Sequence, residues 1–168
     1  YKRPILFMKK IFLMLALVLG ATTFTQAQNI SDNAIGLRLG DNDGFGGEIS
    51  YQRALGDNNR LELDLGIRSG KNYDGFKLAG LYQWVWNIDG GFNWYAGAGG
   101  GLGNYSYDLP APFDDESETF VFVAGDIGIE YNFDIPLVLS LDARPELGLG
   151  DFRDALDFDL ALGIRYQF

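Results

Sequence analysis

Glu62 and Asp64 stand two residues apart, a spacing that places both on one face of an extended chain and could support acid–base chemistry. Asp114, Asp115 and Glu116, with Asp108 and Glu118 close by, gather oxygen ligands of the kind that hold Ca²⁺, although their spacing matches no EF-hand loop. Neither group has the company that catalysis needs. The chain has no histidine, the side chain best suited to moving protons near neutral pH, and no nucleophile–base pair is visible. It has no cysteine, which excludes a thiolate metal centre, a disulfide framework and a cysteine-linked lipid anchor. What remains is a set of charged residues at alternating positions: Arg38, Glu48, Glu62, Asp64, Arg68, Lys77, Asp126, Glu130, Asp142, Arg144, Glu146, Asp159 and Arg165. Such a set either lines a selective pore or proton path, or closes on itself as ion pairs. An unpaired buried charge is costly, so the ion-pair network is the expectation. No enzymatic activity and no cofactor are expected.

These charges are positioned by strands. Leu61, Leu63, Leu65 and Ile67 alternate with Glu62, Asp64, Gly66 and Arg68. The same period of two recurs at Leu137 to Arg144 and from Asp159 to Phe168. Clusters of glycine, asparagine, aspartate and proline divide the chain, predicting eight strands near 33–40, 45–55, 60–68, 76–86, 92–103, 119–131, 137–149 and 156–168. Each strand is expected to carry one apolar face and one polar or small face. The first, second, fourth and sixth connections read as short. The third, fifth and seventh read as longer, with fifteen residues, 104–118, in the fifth. Pro145 cannot donate to a ladder, so a bulge or a break is expected near the outer end of the seventh strand.

Alternation alone does not say which face points inward. A secreted, soluble ligand-binding barrel or a β-sandwich would bury the apolar face. Two features favour the opposite arrangement. An eight-stranded barrel is only just wide enough to be filled by side chains, and the apolar faces are too bulky for it. The other face is narrow, with Gly97, Gly99, Gly101 and Gly103 on the fifth segment. In addition, Tyr51, Trp84, Trp86, Phe92, Trp94, Tyr131, Phe133, Tyr166 and Phe168 share the apolar parity and gather at one set of strand ends. That is an interfacial aromatic girdle, with Phe45, Phe76 and Phe158 as candidates for the opposite rim. An all-β, eight-stranded antiparallel up-and-down transmembrane barrel follows, with its charged face inside.

The chain begins with Tyr1, and its first methionine is Met8. Residues 1–7 read as an upstream extension. Residues 8–27 read as a cleavable signal peptide: Lys9 and Lys10, an apolar run from Ile11 to Ala21, and small residues around Thr25-Gln26-Ala27. The run is well short of the ~20 residues that a spanning helix needs. The mature barrel domain is then 28–168. Loss of Lys2, Arg3, Lys9 and Lys10 leaves it nine basic and 23 acidic residues, a net charge of −14. So acidic a surface repels nucleic acid.

Leu160, Leu162, Ile164, Tyr166 and Phe168 alternate up to a terminal aromatic. This resembles the C-terminal assembly signal of bacterial outer-membrane proteins, and the mature chain resembles the small eight-stranded barrels of the OmpA/OmpX type. The resemblance implies residence in the outer membrane of a Gram-negative cell envelope. It implies contact with outer-membrane lipid, and recognition of the last strand by the barrel-assembly machinery. A monomer is expected, with divalent cations as candidate partners of acidic outer loops. The function expected is a non-enzymatic structural or surface-interaction role through those loops, with porin-like passage of a small solute as the alternative.

Overall fold

Segments with two unlike faces are stable only when every backbone edge is paired and each face meets a suitable medium. The computed structural model shows how this chain meets both demands. It describes residues 30–40, 46–107, 116–149 and 156–168. Residues 1–7, the segment 8–27, Gln28, Phe45, Asp108, Asp114 and Asp115 lie outside the described residues. The strands are β1 (Asn33–Leu39), β2 (Gly47–Ala54), β3 (Asn59–Ser69), β4 (Tyr73–Asp89), β5 (Phe92–Tyr107), β6 (Glu116–Asn132), β7 (Leu137–Leu149) and β8 (Leu156–Gln167). Each pairs antiparallel with the next, and β8 returns to β1, closing the barrel. Asn33 and Phe168 exchange backbone hydrogen bonds of 3.1 and 2.9 Å at the seam. The eight-stranded up-and-down barrel read from the sequence is the fold.

Two details differ from the sequence-based expectation, and a third, the disturbance at Pro145, takes one of its two expected forms. The third connection is not long. β4 begins at Tyr73, and the Gly70 N–H donates to the Tyr73 carbonyl at 2.8 Å, leaving a tight turn. β5 and β6 run beyond their expected ends, so Tyr105, Tyr107 and Glu118 belong to strands and not to the fifth loop. Pro145 produces a break without a bulge. The β6–β7 ladder lacks the pairs at Gly125 and Asp126 and resumes in the same register at Ile127 and Ala143. The irregularity that does occur lies at the β4–β5 turn. There the register shifts between Asn87 and Asp89, and Gly90 takes a φ of 52°, which favours glycine.

Strand length sets the shape of the wall. At ~3.3 Å per residue and a tilt of ~40°, the 17 residues of β4 rise roughly 40 Å, against an apolar band of ~25 Å in barrels of this kind. β4, β5 and β6 therefore stand proud of the band. Its upper edge is visible on their outer face, where Phe76, Leu102 and Val121 give way to Asp74, Asn104, Thr119 and Ser117. Asn104 donates to Ser117 at 3.0 Å and to Thr119 at 2.9 Å, and Ser69 donates to Asp74 at 2.6 Å.

Candidate functional site

The lumen is built by the period of two. Alternate residues of all eight strands point at the axis, and eighteen polar or charged side chains among the described residues are buried there. Arg38 on β1 reaches Glu48 at 2.9 Å on β2, Asp142 at 2.5 Å on β7 and Asp159 at 2.5 Å on β8. Arg144 on β7 crosses to Glu48 at 3.5 Å, Glu62 at 3.1 Å and Asp64 at 2.5 Å. Arg165 on β8 meets Glu62 at 3.2 Å and donates to Ser50 and Ser140 at 2.9 Å each. Glu48 and Glu62 are thus each shared by two arginines, and the three guanidiniums form one continuous network. Lys77 and Glu146 make a separate pair at 2.7 Å.

Sequence reasoning missed a second cluster. Arg60 has the parity of Glu62 and Asp64, which was the available signal. It pairs with Glu130 at 2.7 Å and donates to Gln83 at 2.6 Å. Gln83 in turn donates to Asp126, and Asn93 donates to Glu130 at 3.1 Å. Of the thirteen charges singled out from the sequence, the structure buries twelve in the lumen. The thirteenth, Arg68, is half-buried at the outer mouth, where it donates to the Tyr73 hydroxyl at 3.2 Å. The Glu62–Asp64 pair faces Arg144, so it sits in an ion-pair network and not beside an open cleft. No group of three or more His, Cys, Asp or Glu among the described residues is arranged to hold a metal ion.

The lumen face is not uniformly small or polar, which corrects the sequence-based expectation for β4 to β6. Leu81, Val85, Tyr95, Phe120 and Phe122 also point inward and are buried. Glycines make room for the rings. A Cβ at Gly101 would sit 2.5 Å from the Phe122 ring tip, and one at Gly103 or Gly128 would strike Phe120 or Tyr95. Each ring therefore lies against the wall over a glycine of a neighbouring strand. Two of these rings take a cation on the lumen side: Lys77 stands 5.0 Å from the Phe122 centroid and Arg60 stands 4.7 Å from that of Tyr95. Phe120 and Phe122, with Ala79, Leu81 and Ala124, form an apolar cluster on the β4–β6 wall. Gly103→Val should cost about 1–3 kcal/mol through overpacking, and less when Phe120 is cut to alanine as well. Urea unfolding in lipid vesicles checks this; a cost indifferent to Phe120 would contradict the ring-over-glycine packing.

At the end with the short turns, the lumen opens into a vestibule of about 800 Å³ lined by Asn87, Asn93, Asn132, Gln167 and Asp32 among others. The outside is a different surface. Leu37, Ile49, Leu63, Leu78, Ile127, Leu141 and Leu162 are exposed around the belt. Below them Trp86 stacks on Trp94 at 4.3 Å, Phe92 tilts against Tyr131 at 4.5 Å, and Tyr131 meets Phe133 edge-on at 4.7 Å. Trp84, Tyr166 and Phe168 are exposed at the same end, and Tyr51 donates to Asn33 at 2.7 Å. Phe76 and Phe158 are exposed on the upper half, and Leu160 and Ile164 face outward on β8 with Leu162. Bare aliphatic residues on every strand are stable against hydrocarbon and unfavourable against water.

No family model matches the chain, and no curated protein matches it. Solved structures do. The N-terminal β-barrel domain of Pseudomonas aeruginosa OprF superposes with a TM-score of 0.62 at 15% identity, covering 82% of this chain and 98% of that one. Neisserial surface protein A gives 0.56 at 15% identity, over 81% and 94%. Ail, the attachment invasion locus protein of Yersinia pestis, gives 0.57 at 18% identity, over 82% and 97%. At these identities what is shared is architecture: the chain has the fold of the small eight-stranded outer-membrane β-barrels.

Proposed function

We propose that this chain is a non-enzymatic integral protein of the bacterial outer membrane, acting as a closed barrel whose protruding outer strands and loops meet other surfaces. The observation that carries the reading is the filled lumen. Three arginines tie β1, β2, β3, β7 and β8 together across the axis, and the Phe120–Phe122 cluster covers the wall between. An eight-stranded barrel filled in this way leaves no continuous water path. The wall at β4 to β6 supports the outward role, because it rises past the apolar band and ends in Tyr105 and Tyr107. Residues 8–27 serve as the export signal in this reading, with 28–168 as the mature domain. The last strand, ending at Phe168, is read by the assembly machinery. The barrel is a monomer in the lipid, and acidic outer loops recruit divalent cations.

Two measurements test the reading. The refolded chain should need detergent or lipid, and should run faster on a gel unheated than heated. In planar bilayers it should give no stable unitary currents. A compact monomer in plain buffer would overturn membrane residence, and stable unitary channels would replace the closed barrel by a solute pathway.

A further inference from the structure

The lumen is not electrically balanced. Among the described residues five buried cations, Arg38, Arg60, Lys77, Arg144 and Arg165, face eight buried carboxylates. Part of the deficit is shared inside the network, where three arginines serve Glu48, Glu62, Asp64, Asp142 and Asp159, and part of it is localised at one residue. Asp126, 5% exposed, makes no ion pair among the described residues; its one hydrogen bond comes from the neutral amide of Gln83. Its second oxygen, Oδ1, is buried without a partner, and so is Oδ2 of Asp142. The hydroxyl of Tyr95, which has both carboxylates as electrostatic neighbours, is fully buried and also without a partner. The register fixes this arrangement. Tyr95 pairs with Gly128, whose missing side chain lets the ring lie across β6, and Gly128 pairs with Asp142 on β7, two residues along β6 from Asp126. The facing groups are Glu62 on β3, Arg60 on β3 (over the Tyr95 ring and paired with Glu130), Gln83 on β4, Tyr95 on β5, and Asp142 and Arg144 on β7. Arg144 is engaged with Glu48, Glu62 and Asp64, and Arg38 holds the other oxygen of Asp142. A buried carboxylate without a counter-charge is strongly unfavourable. Asp126 and Asp142 thus offer two unpartnered carboxylate oxygens beside an unpartnered phenol, whereas the further unpartnered carboxylate oxygen among the described residues, Asp64 Oδ1, belongs to a carboxylate already paired with Arg144.

We infer that Asp126, Asp142 and Tyr95 bind one small positive charge inside the lumen, either a proton or an alkali cation. The test is urea unfolding of the barrel in phosphatidylcholine vesicles, comparing wild type with Asp126→Asn, which keeps the shape and removes the charge. In one arm pH is raised from 6 to 9 in choline chloride. A bound proton makes the wild-type folding constant fall by up to about tenfold per pH unit beyond the fall seen in Asp126→Asn. In the other arm sodium replaces choline at pH 8 and constant ionic strength. A bound alkali ion makes the wild-type constant rise in proportion to sodium while that of Asp126→Asn stays flat. Equal pH slopes together with equal sodium responses in the two proteins would overturn the site. Should Asp126→Asn fail to fold, Tyr95→Phe decides. It should move the half-effect pH or sodium concentration at least threefold in proton or ion activity, and an unmoved midpoint would overturn the site as well.

Discussion

Arg144→Leu should destabilise the barrel by about 3–5 kcal/mol and still give no unitary current in a bilayer. The side chain is fully buried and its guanidinium serves three carboxylates on two other strands, at 3.5, 3.1 and 2.5 Å. Leucine fills much of the same space, so the cost is electrostatic: Asp64 loses its only ion pair among the described residues, while Glu48 and Glu62 each retain one other arginine. The consequence reaches further than one contact, because Glu48 links Arg144 to Arg38 and Glu62 links it to Arg165. Removing the charges together should therefore hurt less than removing one. Arg144→Leu combined with Asp64→Asn and Glu62→Gln is expected to recover a good part of the loss, the usual behaviour of buried ion pairs whose members are neutralised jointly. Tryptophan emission from Trp84, Trp86 and Trp94 follows unfolding in urea. A loss below ~1 kcal/mol would mean that the network contributes little. A current appearing in the variant would mean that the arginine is a gate and not a strut.

The parts of this arrangement that were legible in the sequence are those where one parity is charged and the other aliphatic. β3, β7 and β8 are of that kind: Glu62, Asp64 and Arg144 define the inside without ambiguity, and Leu61, Leu141 and Leu162 define the outside. Strand order, closure and the interior placement of twelve charges follow from it. β6 is different. Phe120-Val121-Phe122-Val123 is apolar at both parities, so period two carries no information there, and only the phase of Asp126, Gly128 and Glu130 further along shows that the two phenylalanines point inward. Their size is tolerated because the opposing strand has Gly101 and Gly103, a relation between residues far apart in the chain that no local window contains. The same holds for Tyr95 over Gly128. The third turn was misjudged because Asn72 to Gly75 has turn composition, yet Asp74 and Gly75 pair with Ser69 and Arg68 in the ladder. Cross-strand pairing overrode local propensity, as it often does in sheets.

The medium outside the barrel can be read from two residues of equal accessibility. Leu162 and Ile135 are both 61% exposed. Leu162 lies in the middle of β8, paired with Leu39 on one side and Leu141 on the other, in the belt between the girdle and the polar upper edge. Ile135 lies in the β6–β7 turn, beyond Phe133 and outside that belt. In water the two positions are equivalent, and lysine at either should change stability by no more than about 0.5 kcal/mol. In a membrane they are not. Leu162→Lys would place an ammonium near the midplane and should cost ~2–4 kcal/mol, while Ile135→Lys at the interface should cost ~0–1 kcal/mol. Urea unfolding of both variants from vesicles gives the difference directly. A large gap requires a nonpolar slab around β8 and water or headgroups around the turn, because solvent exposure is identical and nothing else in the pairing distinguishes a leucine that faces away from the axis. Two small and equal effects would put water at both positions and return the aliphatic belt to an unexplained surface.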